Sequence, residues 1–276
     1  MTAQNRRIVY FMLHVPKCAG STLIGHMDKH LGERSLEAPL WRNWRRNYIG
    51  NRYPFKPGDR EVEEVALFHG HALSRSLAAH FPDEEIREAV TLRDPVGFFV
   101  SMYNYRAKRA VDGVGPEDPP FEVWYAAERK NPITRFLLYR YYGWAPWWLW
   151  LTSSKAKLAW LEERLARYWF VGSYRDMNML VNSVAEQVGI PGDPERRNES
   201  TVKKVSADTL DRALLNKILD ENAVDAALFD RWKDRLFDSE AGPADPHSLP
   251  ANDWIAQIRA EIVSGIKKAL IRQSRR

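Results

Sequence analysis

Residues 8–15, IVYFMLHV, place the tightest limit on what this chain can fold into. Only His14 interrupts an otherwise apolar run, so no polar face is left to turn toward water. A strand of that kind is buried on both sides, and such strands belong to parallel sheets covered by helices. Two more short apolar runs, 65–69 and 89–93, also end in polar residues, and 169–172 reads as a fourth strand. Helical patterns fill the intervals at 21–30, 95–109, 121–129, 133–141, 155–168, 177–188, 207–221 and 224–237. Strands alternating with helices predict an α/β fold, a parallel sheet flanked by helices. In such sheets ligands settle beyond the carboxyl ends of the strands. Three loops share that edge, 14–22, 69–71 and 93–101.

The rest of the chain sets bounds. A length of 276 residues with 45% hydrophobic content suffices for one large core or two small ones. Eleven Trp, eleven Tyr and eleven Phe are more rings than a core of this size needs, so some reach the surface or line a cleft. The run 141–150 reads mostly as core, with Trp147 and Trp148 the candidates for a wall against a ligand. A formal charge of +5 favours anionic partners without choosing among them. The basic stretch Trp41-Arg42-Asn43-Trp44-Arg45-Arg46 is too short for a nucleic-acid stripe and is expected to grip an anionic acceptor. A lone cysteine, Cys18, forms no internal disulfide, and no apolar run is long enough to span a bilayer. The expectation is a cytoplasmic protein with no membrane span and no nucleic-acid partner; oligomeric state is open. Residues 1–240 read as one α/β domain. A Gly/Pro/Asp/His linker at 241–250 leads to a last amphipathic helix, striped by Trp254, Ile258, Ile262 and Ile266, that is expected to pack on the same domain.

The three loops carry the chemistry. In His14-Val-Pro-Lys-Cys-Ala-Gly-Ser-Thr22 a strand feeds a short loop and then a helix. Backbone N–H groups at a helix start favour an anion. Gly20 admits close approach of backbone, Lys17 brings a point charge, Ser21 and Thr22 bring hydroxyl donors, and Cys18 and Ala19 complete the loop. The order differs from a Walker A loop, in which Lys directly precedes Ser or Thr. The alternative is an ordinary strand-to-helix turn with a surface lysine. At the third edge, Arg93 leaves a strand and Ser101 lies about two turns into the next helix. An Arg fork with a hydroxyl suits a second phosphate, unless Arg93 and Asp94 form only a local ion pair. Between them, His69 and His71 lie two apart, pointing to one side if the strand continues. They are candidate proton acceptors from an alcohol, or else buried structural histidines. No third ligand stands at metal-binding spacing, so no metal site is expected. Cys18 lacks the histidine signature of a nucleophilic cysteine.

Taken in order, these residues resemble the PAPS-dependent sulfotransferases, PAPS being 3′-phosphoadenosine-5′-phosphosulfate. Lys17 to Thr22 resembles their 5′-phosphosulfate loop. Leu92-Arg93-Asp94-Pro95 with Ser101 and Tyr103-Asn104-Tyr105 resembles their 3′-phosphate motif. Phe68-His69-Gly70-His71 is similar to the paired histidines of the heparan sulfate 2-O-sulfotransferase and uronyl sulfotransferase branch. Asn131 to Leu137, Phe170-Val-Gly172, Asn198-x-Ser200 and Asn222-x-x-Asp225 with Leu228-Phe229 resemble later landmarks. The resemblance implies a P-loop-like nucleotide cradle and transfer of a sulfuryl group from PAPS to a hydroxyl of a carbohydrate or glycoconjugate acceptor, leaving PAP. It implies His71 as base with His69 supporting, Lys17 at the departing phosphate, and Arg93 and Ser101 at the 3′-phosphate. Arg197 and Lys203, from the basic loop 196–205, are possible additions. Two departures stand out: Gly97 and Phe98 where the family often has an acidic residue and an Arg, and Cys18 where Thr is common. The competing readings are a P-loop kinase-like enzyme and a non-catalytic protein that binds PAP or an anionic glycan.

Overall fold

The computed structural model describes residues 6–38, 64–194 and 202–237. By compactness the chain divides into Met1–Pro243 and Ala244–Arg276, and all described residues belong to the first unit. Its elements run β1 (Ile8–Leu13), α1 (Gly20–Leu31), β2 (Ser35–Glu37), β3 (Leu67–Gly70), β4 (Glu85–Leu92), α2 (Pro95–Val111), α3 (Phe121–Ala127) and α4 (Pro132–Arg135). There follow α5 (Pro146–Leu151), α6 (Ser154–Leu165), β5 (Phe170–Ser173), α7 (Met177–Val188), α8 (Arg212–Glu221), α9 (Ala223–Trp232) and β6 (Leu236–Phe237). The six strands form one sheet in the order β2-β3-β1-β4-β5-β6. Every pairing is parallel except β5 with β6. The expected α/β class and parallel sheet are present.

β1 lies at the centre because it can: Val9, Tyr10, Phe11, Met12 and Leu13 are all buried. Alternate side chains feed two cores. Val9, Phe11 and Leu13 join the larger one, with Phe98 and Phe99 of α2 and residues of α3, α4, α6, α8 and α9. Tyr10 and Met12 join a smaller one against α1 and α7, with Leu23, Met27, Leu180 and Val184. At about 1.5–3 kcal/mol for a fully buried large apolar side chain, β1 alone anchors both layers.

Several elements differ from expectation, among them the unannounced β2 and α5. β4 begins at Glu85, four residues before the apolar run that announces it. Its outer half is charged, yet Arg87 pairs with Glu85 at 2.6 Å, and buried Glu88 meets Arg75 at 3.0 Å and the Tyr141 hydroxyl. Those partners satisfy charges that otherwise argue against a strand. The helix expected over 133–141 divides into α4 and a π-helical turn, Phe136–Tyr141. β6 ends a stretch expected to be helical throughout. The C-terminal helix and its stripe lie outside the described residues.

The landmarks around 131 and 222–225 prove to be a clamp. Buried Asp225 accepts from the N–H groups of Ile133 and Thr134, both at 2.8 Å, capping α4. Asn131 Oδ1 in turn accepts from Val224 and Asp225 N–H at 3.1 Å, capping α9. Each helix start supplies the other's missing acceptor.

Candidate functional site

β1, β3, β4 and β5 all deliver their carboxyl ends to one edge, and the loops expected to carry chemistry meet there. The loop after β1 is unusual in its backbone. Lys17 and Ala19 both take left-handed conformations, φ 64° and 65°. Each such residue without the freedom of glycine costs about 1–2 kcal/mol, so the neighbourhood must hold it. β4 does so: the Thr91 hydroxyl donates to the Cys18 carbonyl at 2.7 Å, and Arg93 Nη1 donates to the Lys17 carbonyl at 2.9 Å. Successive residues that alternate into the left-handed region form the kind of backbone bend whose N–H groups can receive an anion. α1 then begins at Gly20 with no side-chain cap, and the Thr22 N–H is taken by the Ala19 carbonyl at 3.1 Å.

Two cations belong to this bend and its neighbour. Lys17 Nζ rests 4.1 Å from the centre of the Tyr105 ring, and the Arg93 guanidinium 4.2 Å from that of Tyr174. Neither has a carboxylate at ion-pairing distance among the described residues. Asp94 is spent on the start of α2, where it accepts from Gly97 N–H at 2.6 Å. Burial, and then the charge of Arg93, hold Lys17 below its ordinary value. Arg93 Nε is buried without a partner. Two cations crowded together on aromatic faces, with no anion between them, favour the arrival of one. Gly97 has a physical reason here: a Cβ would fall 2.6 Å from the Asp94 carboxylate and 3.1 Å from Arg93 Nε. Ser101 lies half-buried on α2, and one turn later Asn104 grips the Val205 backbone in both directions, at 2.8 and 3.1 Å. That clamp brings the segment holding exposed Lys203 to α2. Arg197 and the 41–46 patch lie outside the described residues.

The histidines part company. β3 ends at Gly70, whose φ of 118° turns the chain. His69 stays in the strand, buried, with Nε2 3.1 Å from Asp28 Oδ1 on α1. Burial outweighs Asp28 and lowers its pKa. His71 turns instead toward the larger core's side, its ring edge-on to Phe136 at 6.5 Å, where the π-helical turn begins. His71 Nδ1 lies 2.6 Å from the His14 carbonyl. A carbonyl can only accept, so Nδ1 is the donor, and in the neutral imidazole Nε2 carries the lone pair. The His14 ring stacks on His71 at 4.1 Å and 24°. Burial first, then His71, His69 and Lys17, push His14 down to about 3, so it stays neutral. Gly20 is the other wall of this stack: a Cβ there would lie 2.2 Å from His14 Cδ2.

The arrangement joins Lys17, Arg93 and His71 through one loop. Cys18 is present by its backbone alone, since the thiol is fully buried and burial pushes its pKa up. Sequence reasoning passed over His14 as a stacking partner, Asp28 and Tyr174, and named Tyr105 only within the 3′-phosphate motif. Tyr174 follows β5 directly, so the same edge rule that found Arg93 could have found it. Among the described residues, no three His, Cys, Asp or Glu side chains stand close enough to hold a metal ion. Compared with family models, curated proteins and solved structures, the chain has no match.

Proposed function

We propose that this protein is a sulfotransferase that moves a sulfuryl group from PAPS to a hydroxyl, with a carbohydrate or glycoconjugate as acceptor. The observation that carries this reading is a pair of cations, Lys17 and Arg93, without a carboxylate at ion-pairing distance among the described residues, joined through one loop to a histidine that donates from Nδ1. A donor with two separate phosphates and a transferable group answers that arrangement. Loop 17–22 acts as a P-loop-like cradle: the amides at the start of α1, with Ser21 and Thr22, hold the 5′-phosphate. Arg93 and Ser101 take the 3′-phosphate, with Lys203 approaching on the segment that Asn104 anchors.

The acceptor oxygen attacks sulfur in line as the bond from sulfur to the 5′-phosphate oxygen breaks. The acceptor proton passes to His71 Nε2, and PAP departs with the bonding electrons. Lys17 neutralises the charge that grows on the leaving phosphate, where a fixed cation lowers the barrier most. His69, turned to Asp28, supports the strand end rather than the proton transfer. We place the reaction in the cytoplasm, since the one cysteine is buried and no disulfide is needed.

Calorimetry with PAP and with ATP–Mg²⁺ tests the reading. PAP is expected to bind without magnesium and ATP weakly or not at all. Arg93→Ala should weaken PAP by about tenfold or more, and adenosine 5′-phosphate far less, because a charge-assisted hydrogen bond contributes about 1.5–3 kcal/mol. Preference for ATP–Mg²⁺ would move the protein to the kinase-like class. PAP binding without transfer from labelled PAPS to any of a panel of sugars, glycolipids and alcohols would leave a binding protein.

A further inference from the structure

A second surface, independent of the reaction proposed above, is unusual in both shape and charge. α5 reads PWWLWL, and its residues 147, 150 and 151 fall at i, i+3 and i+4, hence on one face. That face is turned outward: Trp150 is 82% exposed, Leu151 61% and Trp147 45%. The helix is held from behind by Leu149, which is buried, and by Trp148, which packs on Trp144 at 6.2 Å. The exposed rings are therefore presented on a fixed base, and they are not a core that failed to close. Single exposed apolar residues are ordinary on a protein surface, but three large ones on one helical face mark an interaction site.

The surrounding charge is one-sided. From residue 129 to residue 161 there is no Asp or Glu, while Arg129, Lys130, Arg135, Arg140, Lys155 and Lys157 all fall within that stretch. Lys130 is engaged by Glu221 at 3.3 Å. The other five meet no carboxylate at ion-pairing distance among the described residues. Three of them are close enough to oppose one another: Arg129 adds to burial in lowering Arg135, and Arg135 does the same to Lys157. A chain that keeps acids out of such a cluster leaves its field unbalanced toward solvent.

We propose that the α5 face is a docking site for an anionic membrane surface, with Trp147, Trp150 and Leu151 entering the interfacial layer and Arg140, Lys155 and Lys157 meeting the lipid phosphates. Trp is favoured at the boundary between headgroups and acyl chains because its ring is apolar while its N–H still reaches a polar partner. Basic residues near an anionic bilayer add electrostatic attraction that salt weakens. Aromatic anchors rimmed by unpaired cations match this partner in both respects. Among the described residues no helix is long and apolar enough to cross a membrane, so the attachment is to one leaflet.

The test is sedimentation of the full chain with vesicles of phosphatidylcholine alone and of phosphatidylcholine containing phosphatidylglycerol. Binding is expected on the anionic vesicles, weak on the neutral ones, and reduced by added salt. Trp147→Ala with Trp150→Ala should abolish it with an unchanged melting temperature. Arg140→Gln, Lys155→Gln and Lys157→Gln should each weaken it by roughly fivefold, and together by about a hundredfold, on anionic vesicles only. Absence of vesicle binding overturns the proposal, as does equal binding to both vesicle types that ignores the cation changes. So does concentration-dependent self-association abolished by the Trp changes, which would make the face a contact between copies. Dextran sulfate binding that needs both rings, without vesicle binding, would make it a glycan wall instead.

Discussion

Gly20→Ala isolates the contact between the loop backbone and the histidine stack. Alanine is ordinarily the better helix residue, by up to about 1 kcal/mol over glycine. Here the new Cβ would lie 2.2 Å from His14 Cδ2 and 2.9 Å from Cγ and Nε2. Relieving this requires the ring to move by more than about 1 Å, since non-bonded carbons rest near 3.5–4.0 Å. The ring cannot retreat freely, because His71 stacks behind it at 4.1 Å. Overpacking of this kind costs about 1–3 kcal/mol, which exceeds the helical gain. The expected net loss is about 1–2 kcal/mol, a fall of a few degrees in melting temperature. In a His14→Ala background the clash has no partner, so the same change should be neutral or stabilising. Thermal melts of the four proteins in this cycle give the coupling energy directly. An unchanged or higher melting temperature for Gly20→Ala alone, or the same loss in both backgrounds, would refute the close packing of Gly20 on His14.

The remaining predictions concern neighbouring residues. His71→Ala should lower kcat for sulfuryl transfer by about 100- to 10,000-fold, as loss of a positioned base does, while calorimetry finds PAP affinity unchanged. Asp225→Ala strands the N–H groups of Ile133 and Thr134, at about 1–3 kcal/mol each, and denaturant unfolding should show a loss of that size without a change in m-value. His14 is held down from 6.5 to about 3, so its contribution to stability is complete above pH 6.5 and disappears as pH falls toward 3. Melting curves across that window should decline more steeply for the wild type than for His14→Gln, and parallel curves would remove His14 as an acid-labile group.

How far the sequence could be read depended on whether local pattern and tertiary environment agreed. β1 and the loop after it were legible because an apolar strand entering a Lys/Gly/Ser/Thr turn has few other uses, and the sheet-edge rule then pointed to Arg93 and His71 together. β2 was not legible, since three residues carry no periodicity. The outer half of β4 was hidden by its own charges; Glu88 is buried only because Arg75 and Tyr141 come to it from other segments. No local pattern reports partners so distant along the chain. The paired histidines show the same limit on a smaller scale. Their spacing suggests one shared face, but Gly70 ends the strand between them and sends His69 to Asp28 and His71 to His14.

His14 shows where that limit has a functional consequence. As a polar residue ending an apolar run it reads as an interruption, and its carbonyl and ring have no visible task. In the fold its carbonyl accepts from His71, its ring stacks on the same imidazole, and that ring excludes any side chain at position 20. Under the proposed reaction one residue thereby links the phosphate loop to the base, because the glycine at the start of α1 is also the one that makes room for the His14 ring. The distance between leaving phosphate and proton acceptor is then set by the half-buried packing of His14 on His71 and Gly20, and not by the flexible lysine.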